Sequence, residues 1–400
     1  MGEEMIPRFT IPGLAVAVLM IVAPGPGIGQ TAEIHGQASA WITSVPEHAA
    51  LSQVGVRYIP DFMGSMHAWG DFDVNAELSI NATADADIDR SRAPAYDRML
   101  KLYRGWARLA SENFEARIGL QKLSFGPALF FRPMMWFDRI DPRDPLQLTD
   151  GVYALLLRYY FRNNTNIWLW GLYANSGTKG WESEPTEHGT MEYGGRIQSP
   201  LWTGEVGATY HHRRADQAAL ASALIAPGAV MQGAGAALPS LPAAPEDRYA
   251  LDGKWDVGIG VWFEASLAHQ ETPLPGMTYQ RLWTVGGDYT IGAGNGLYVA
   301  TEYFTLDNPA EPLGPATGVH FSALSLSYPI GIVDQVSASV YRDWRDREWY
   351  RILTWQRKYD DWTLYLLGFW NPDTIRLYAT SAGSNAFAGK GLQLLVVFNH

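Results

Sequence analysis

The sequence contains no cysteine, which excludes disulfides, thiolate metal sites and haem attachment through a Cys-x-x-Cys-His motif of its own. Charge is sparse as well: Asp, Glu, Lys and Arg make up 18% of the 400 residues, with a net charge of −11. No Lys/Arg cluster breaks that acidic balance, so nucleic acid, whose phosphates need a basic face, is not an expected partner. Long apolar runs are missing too, apart from FTIPGLAVAVLMIVA at Phe9–Ala23, which follows Arg8 and precedes PGPG. That run is short for a helical span of about 20 residues and contains Pro12. Residues 1–29 therefore read as a cleaved secretory signal, with a membrane anchor as the alternative, and 30–400 as the mature chain.

What the chain does have is aromatic and apolar residues, 13% and 47%, finely interleaved with polar ones. In FDVNAELSINAT, Phe72, Val74, Ala76, Leu78, Ile80 and Ala82 alternate with Asp73, Asn75, Glu77, Ser79, Asn81 and Thr83. A strand between apolar and wet surroundings has this period of two. EIHGQASAWI, WTGEVGATYHHR and VGIGVWFEASL repeat it. Such segments number about eighteen, each roughly 9–13 residues, the length with which a tilted strand crosses a bilayer. Short turns (SENF, RNNT, SPLW, GAGN, KYDD) alternate with long connections, among them 125–150, 175–188, 214–247 and 372–389. An all-β, antiparallel transmembrane barrel with 16–20 strands has this layout, with its tight turns on the periplasmic side. A propeller would show a blade repeat, and none is present. A soluble sandwich would carry a Lys- and Glu-rich outer face, whereas here the polar face is rich in Gly, Ser and Thr.

The signal segment, the amphipathic strands, the alternating turns and loops and a final strand GLQLLVVFN with Leu392, Leu394, Val396 and Phe398 on one face together resemble bacterial outer-membrane porin-type β-barrels. The chain continues past that aromatic through Asn399 and His400. The resemblance implies a Gram-negative outer-membrane location, contact with outer-membrane lipid and lipopolysaccharide, and small solutes as cargo. It also implies a reading for Phe125–Asp150, FGPALFFRPMMWFDRIDPRDPLQLTD. Porins of this kind often fold a long loop inward to narrow the channel. Arg132, Asp138, Arg139, Asp141, Arg143 and Asp144 would then bond to the lumen walls, and an extracellular cap is the alternative.

Alternation places the arginines Arg57, Arg104, Arg108, Arg117 and Arg158 on the lumen side as one basic arc. Glu77, Glu115, Glu192, Glu205, Glu264 and Glu302, with Asp73, Asp252 and Asp288, are expected to oppose it, giving a lumen of segregated signs. Such charges set ion preference in pores, or they pair and stiffen the wall. An enzyme is not expected, since the nine histidines show no ligand spacing, and the adjacent His211 and His212 would point to opposite faces. No metal and no cofactor are expected. The Ala/Gly/Pro-rich connection 214–247 could form a short helix over the mouth, contact lipopolysaccharide, bind a partner or remain disordered. The function expected is passive diffusion of small polar or charged solutes. The alternatives are a barrel that sheathes a periplasmic or lumenal partner such as an electron-transfer cytochrome, and an outer-membrane hydrolase. Homo-oligomerisation stays open.

Overall fold

The computed structural model describes residues 30–46, 51–88, 93–175, 177–217, 242–272, 278–373 and 387–400. The signal segment 1–29, and residues 218–241 of the long connection 214–247, lie outside the described residues.

Eighteen strands follow one another along the chain. They are β1 (Gln30–Val45), β2 (Leu51–Trp69), β3 (Phe72–Ile88), β4 (Ala95–Ala110), β5 (Phe114–Gln121) and β6 (Val152–Tyr160). Then come β7 (Asn166–Leu172), β8 (Glu192–Leu201), β9 (Gly204–Ala215), β10 (Ala244–Asp256), β11 (Gly260–Gln270) and β12 (Tyr279–Ile291). The last six are β13 (Leu297–Asp307), β14 (Gly318–Pro329), β15 (Asp334–Asp343), β16 (Trp349–Lys358), β17 (Trp362–Trp370) and β18 (Lys390–Asn399). Each pairs antiparallel with its chain neighbours, and β1 also pairs with β18, so the sheet closes into a barrel without a free edge. Closure satisfies every ladder that an open sheet would leave unpaired in lipid. Among the described residues there is no helix.

Register carries the alternation around the ring. Glu264 faces Asp252 on one side and Thr284 on the other, and Thr284 faces Phe304, all pointing inward. One position along, Phe263 and Tyr303 flank Val285 on the outer face. Ile34, Val56, Ile118, Leu169, Leu251, Leu324 and Leu394 stand exposed outside. Exposed aromatics ring both ends of this apolar band: Trp69, Trp202 and Trp362 at one end, and Tyr173, Trp344 and Trp370 at the other. Two aromatic girdles around an apolar belt are what a barrel needs at two bilayer surfaces. The outer face also holds Ala76, Leu78, Val206, Val261 and Phe263, although Ala76 is covered by Met66, Val74 and Leu78.

A β-bulge interrupts the regular alternation. Ser79 pairs with Arg104 but Ile80 pairs with Leu102, leaving Tyr103 as the extra residue. The shift turns both Arg104 and Lys101 inward, which strict alternation along β4 could not do.

Candidate functional site

The connection from β5 to β6 enters the barrel and crosses it. Near its start, Phe125 stacks on Trp170 of β7 at 5.6 Å, and Phe137 meets the same ring edge-on at 5.7 Å. Further along, Phe131 packs against Phe304 of β13 at 5.2 Å and Phe321 of β14 at 5.6 Å. The return limb ends where Asp150 forms an ion pair with Lys101. Buried clusters on both sides of this insert, one around Phe131 and one around Phe125, Met134 and Trp136, fill that part of the interior.

Two wall carboxylates hold the crossing. Glu264 accepts hydrogen bonds from the backbone N–H of Ala128 (2.7 Å) and Met134 (3.1 Å). Glu302 accepts from the N–H of Leu129 (2.5 Å), Phe130 (3.0 Å) and Phe131 (2.8 Å), and from Trp262 Nε1 (3.0 Å). Thr284 donates to the Phe131 carbonyl at 2.7 Å. Both carboxylates are sealed, at 0% and 2% exposure. A buried carboxylate is tolerated when several N–H groups replace its water. At Gly126 (φ 93°) a Cβ would lie 2.3 Å from Glu264 Oε1, so only glycine lets the backbone approach this anchor.

The expected pairing of the insert's acids with wall arginines is corrected at Asp138 and Asp141. Asp141 binds Arg143 two residues on, at 2.6–3.1 Å, and Asp138 lies 3.8 Å from Arg132, so both pairs are internal to the insert. Asp144 accepts from the Leu146 N–H and faces the wall's Arg57, which stabilises its charge as expected. Arg132 also donates to Ser124 Oγ and the Phe125 carbonyl. Burial pushes Asp138 and Asp144 above the usual carboxylate range; Arg132 and Lys122 offset part of the rise at Asp138. The physical reason is that Glu264 and Glu302 already satisfy the insert's backbone, leaving the Asp138 and Asp141 charges to be neutralised within the insert.

The basic arc is present on the wall, but its signs are not segregated. Glu115, expected opposite the arginines, sits among them: 2.9 Å from Arg117, 3.6 Å from Arg158 and 4.0 Å from Arg108. β4, β5 and β6 are adjacent, so carboxylate and guanidinium groups on one inner face meet directly. Arg108 also donates to Asn75, Arg117 lies over Trp106, and Arg158 lies over Trp168 at 3.8 Å. Arg57 donates to Thr83, while Arg104 donates to the Thr149 carbonyl and so holds the insert's return limb. Glu77 lies on the inner face beside Trp106. Glu205 faces inward and is exposed, near the β8–β9 turn.

A second inward segment was not foreseen. Residues 177–191, ahead of β8, fold against the first insert and the β8–β13 wall. Trp181 stacks on Phe304 at 5.4 Å and donates to the Arg132 carbonyl. Arg139 donates to the Gly180 carbonyl and to Thr178. At Gly180 (φ 42°) a Cβ would lie 1.7 Å from the Met135 carbonyl oxygen, so the two backbones touch. Beneath this segment runs a buried charge ladder. Glu192 binds Lys179 (3.0 Å) and His211 (3.1 Å), while Glu182 and Glu246 bind Arg213 and Arg248 at 2.6–3.5 Å. Glu192 is thus sealed from any passage. The sequence marked this segment only by its length.

The remaining wall, β14 to β18 and β1, is nearly uncharged: Phe321, Ile352, Leu367 and Phe369 form a buried apolar band against the insert, and hydroxyl and amide side chains share the same inner face. Ser325 meets Ser339 at 3.0 Å, Gln335 donates to Ser327, Gln393 to Thr43, and Gln37 to Asn399. An inward-folded insert, an arginine-bearing wall on β2–β6 and a hydroxyl- and amide-bearing wall opposite make up the interior of a porin-type barrel.

Comparison with known proteins bears on the fold. No protein-family model matches the chain, nor does any curated protein sequence. Solved structures do match. Pseudomonas aeruginosa OccK7 (OpdD) is 10% identical, over 93% of this chain and 99% of that one, with a TM-score of 0.55. Pseudomonas aeruginosa OpdQ is 8% identical, over 93% and 98%, at 0.54. Acinetobacter baumannii OccAB1 is 9% identical, over 92% and 95%, also at 0.54. The chain has the fold of the bacterial outer-membrane porins.

Proposed function

We propose that this chain is a passive diffusion channel for small polar or charged solutes in the outer membrane of a Gram-negative bacterium. The observation that carries the reading is the β5–β6 insert. A barrel of sixteen or eighteen strands is wide enough to leave a water-filled lumen, and here a stiff segment is anchored across it by Glu264 and Glu302. Such a segment narrows a passage to solute size. The route left beside it runs between the arginine wall and the hydroxyl wall, where a solute can exchange water for side-chain hydrogen bonds. Flux would follow the concentration gradient, with no covalent step. A sheath around a partner protein would need the space that the two inserts occupy, which disfavours that alternative.

The test is conductance of the purified protein in a planar bilayer, with and without residues 134–145. Discrete channels in the full chain, and larger ones in a deletion that keeps its heat-resistant barrel, support the reading. A folded barrel without conductance refutes it, and a deletion that conducts like the full chain refutes the narrowing role.

A further inference from the structure

The β7–β8 segment does not close fully on the wall. Between its residues 181–184 and the inner face of β9–β13 lies a polar cavity of about 320 Å³, at the lower end of the size range of small-molecule sites. Resting on the channel reading above, we propose that this cavity is a binding subsite for a small organic cation, a primary ammonium or a guanidinium, on the solute route.

The charge balance of the lining carries the assignment. Arg213 and Arg248 line the cavity but are consumed: Arg213 binds Glu246 at 2.7 and 2.8 Å and reaches Glu182 at 3.5 Å, and Arg248 binds Glu246 at 2.6 Å and Glu182 at 3.0 Å. Two guanidinium groups are thus matched by two carboxylates. Glu184 is the third carboxylate of the lining. Its side chain is 5% exposed, and among the described residues no cation lies within ion-pair distance of it. Burial raises its pKa, Arg213 offsets part of that rise and Glu246 adds to it.

A buried carboxylate without a counter-ion is costly, and a ligand cation removes that cost. The rest of the lining suits the same ligand. Gln270, Gln280, Thr278 and Asn308 offer oxygen acceptors, and Trp181 offers an aromatic ring at the cavity wall, which attracts cations through its negative face. The Gln270 side-chain amide, 9% exposed, lies against the Glu184 carboxylate, so that carboxylate is met by a neutral amide and by no paired cation. An anion would meet a net negative lining and find no free guanidinium.

Calorimetric titration of the full-length protein in detergent with 1,4-diaminobutane, against its neutral isostere 1,4-butanediol, tests the site. Binding of the diamine alone is expected. Glu184→Gln should weaken it at least tenfold, whereas Glu187→Gln, which removes an exposed carboxylate paired with Arg214, should leave it unchanged. Equal binding of diamine and diol to the native protein overturns the proposal whether or not any variant folds, and so does a folded Glu184→Gln protein that binds as the native one does. The titration needs no conduction. A protein that binds the diamine but is silent in a bilayer supports the site and overturns the channel reading, and a conducting protein that ignores the diamine does the reverse.

Discussion

Replacing Glu302 by Gln should release the middle of the crossing insert without harming the barrel. Four N–H donors converge on this carboxylate, two on each oxygen: Leu129 and Trp262 on Oε1, Phe130 and Phe131 on Oε2. Glutamine keeps the shape but retains one acceptor oxygen and turns an NH2 group toward two of the donors. Two hydrogen bonds to a charged group are lost, each worth about 1.5–3 kcal/mol, so docking weakens by about 3 kcal/mol at the low end. At about 1.4 kcal/mol per factor of ten, the undocked fraction rises by about a hundredfold. Amide hydrogen exchange of the reconstituted protein reads this directly: protection at residues 129–131 should fall by that factor, while the β13–β14 ladder stays protected. Open-channel current noise should rise in parallel. Glu205→Gln, on the same inner face but exposed, is the control and should change neither. Unchanged protection at residues 129–131 in a folded Glu302→Gln barrel would refute the anchoring argument, leaving the stacked Phe131 as the true hold.

Adjacent positions on β14 test the two faces of the wall. Leu324→Arg, on the outer face, should destabilise the barrel by about 2–4 kcal/mol near the bilayer midplane, and Ser325→Arg, on the inner face, by much less; equal losses in denaturant titration would contradict the register. Exchanging Arg108, Arg117 and Arg158 for Gln leaves Glu115 without its partners, so the reversal potential should move toward cation preference, and a fixed potential would assign the arc to wall reinforcement alone. Acidity should tighten the insert. Asp138 is raised by burial, so its contribution to docking is fully present below its unfolded value and is lost as pH rises through the higher folded value. Protection of the insert, corrected for intrinsic exchange, should fall across that window, and Asp138→Asn should flatten the slope.

Alternation made the barrel legible, because a strand between lipid and a wet interior must sort its side chains by parity, and Val261, Phe263 and Glu264 are sorted that way. The inward arginines followed from the same rule. Parity failed at Lys101, where the bulge at Tyr103 resets the face and no residue type announces it. The insert's partners were misread for a different reason. Sequence reasoning matches side-chain charges, whereas Glu264 and Glu302 bind backbone N–H groups, which every residue but proline carries. The fold of 177–191 was hidden likewise, since Gly180 and Trp181 find their partners, Met135 and Phe304, only in three dimensions.

The seam between β1 and β18 has a kinetic consequence. Hairpins such as β16–β17 join residues a few positions apart, but the hydrogen bond from Gln37 to Asn399 spans 362 residues, and Gly36 and His400 exchange backbone hydrogen bonds beside it. Closing a flexible loop of that length costs about 5 kcal/mol in chain entropy by the logarithmic rule, and contacts of such high order form slowly. The sixteen strands between β1 and β18 must therefore be zipped before the seam gains from closing. Until then the growing sheet carries two bare edges, so its path to the folded state passes through an intermediate whose fate depends on what pairs with those edges first.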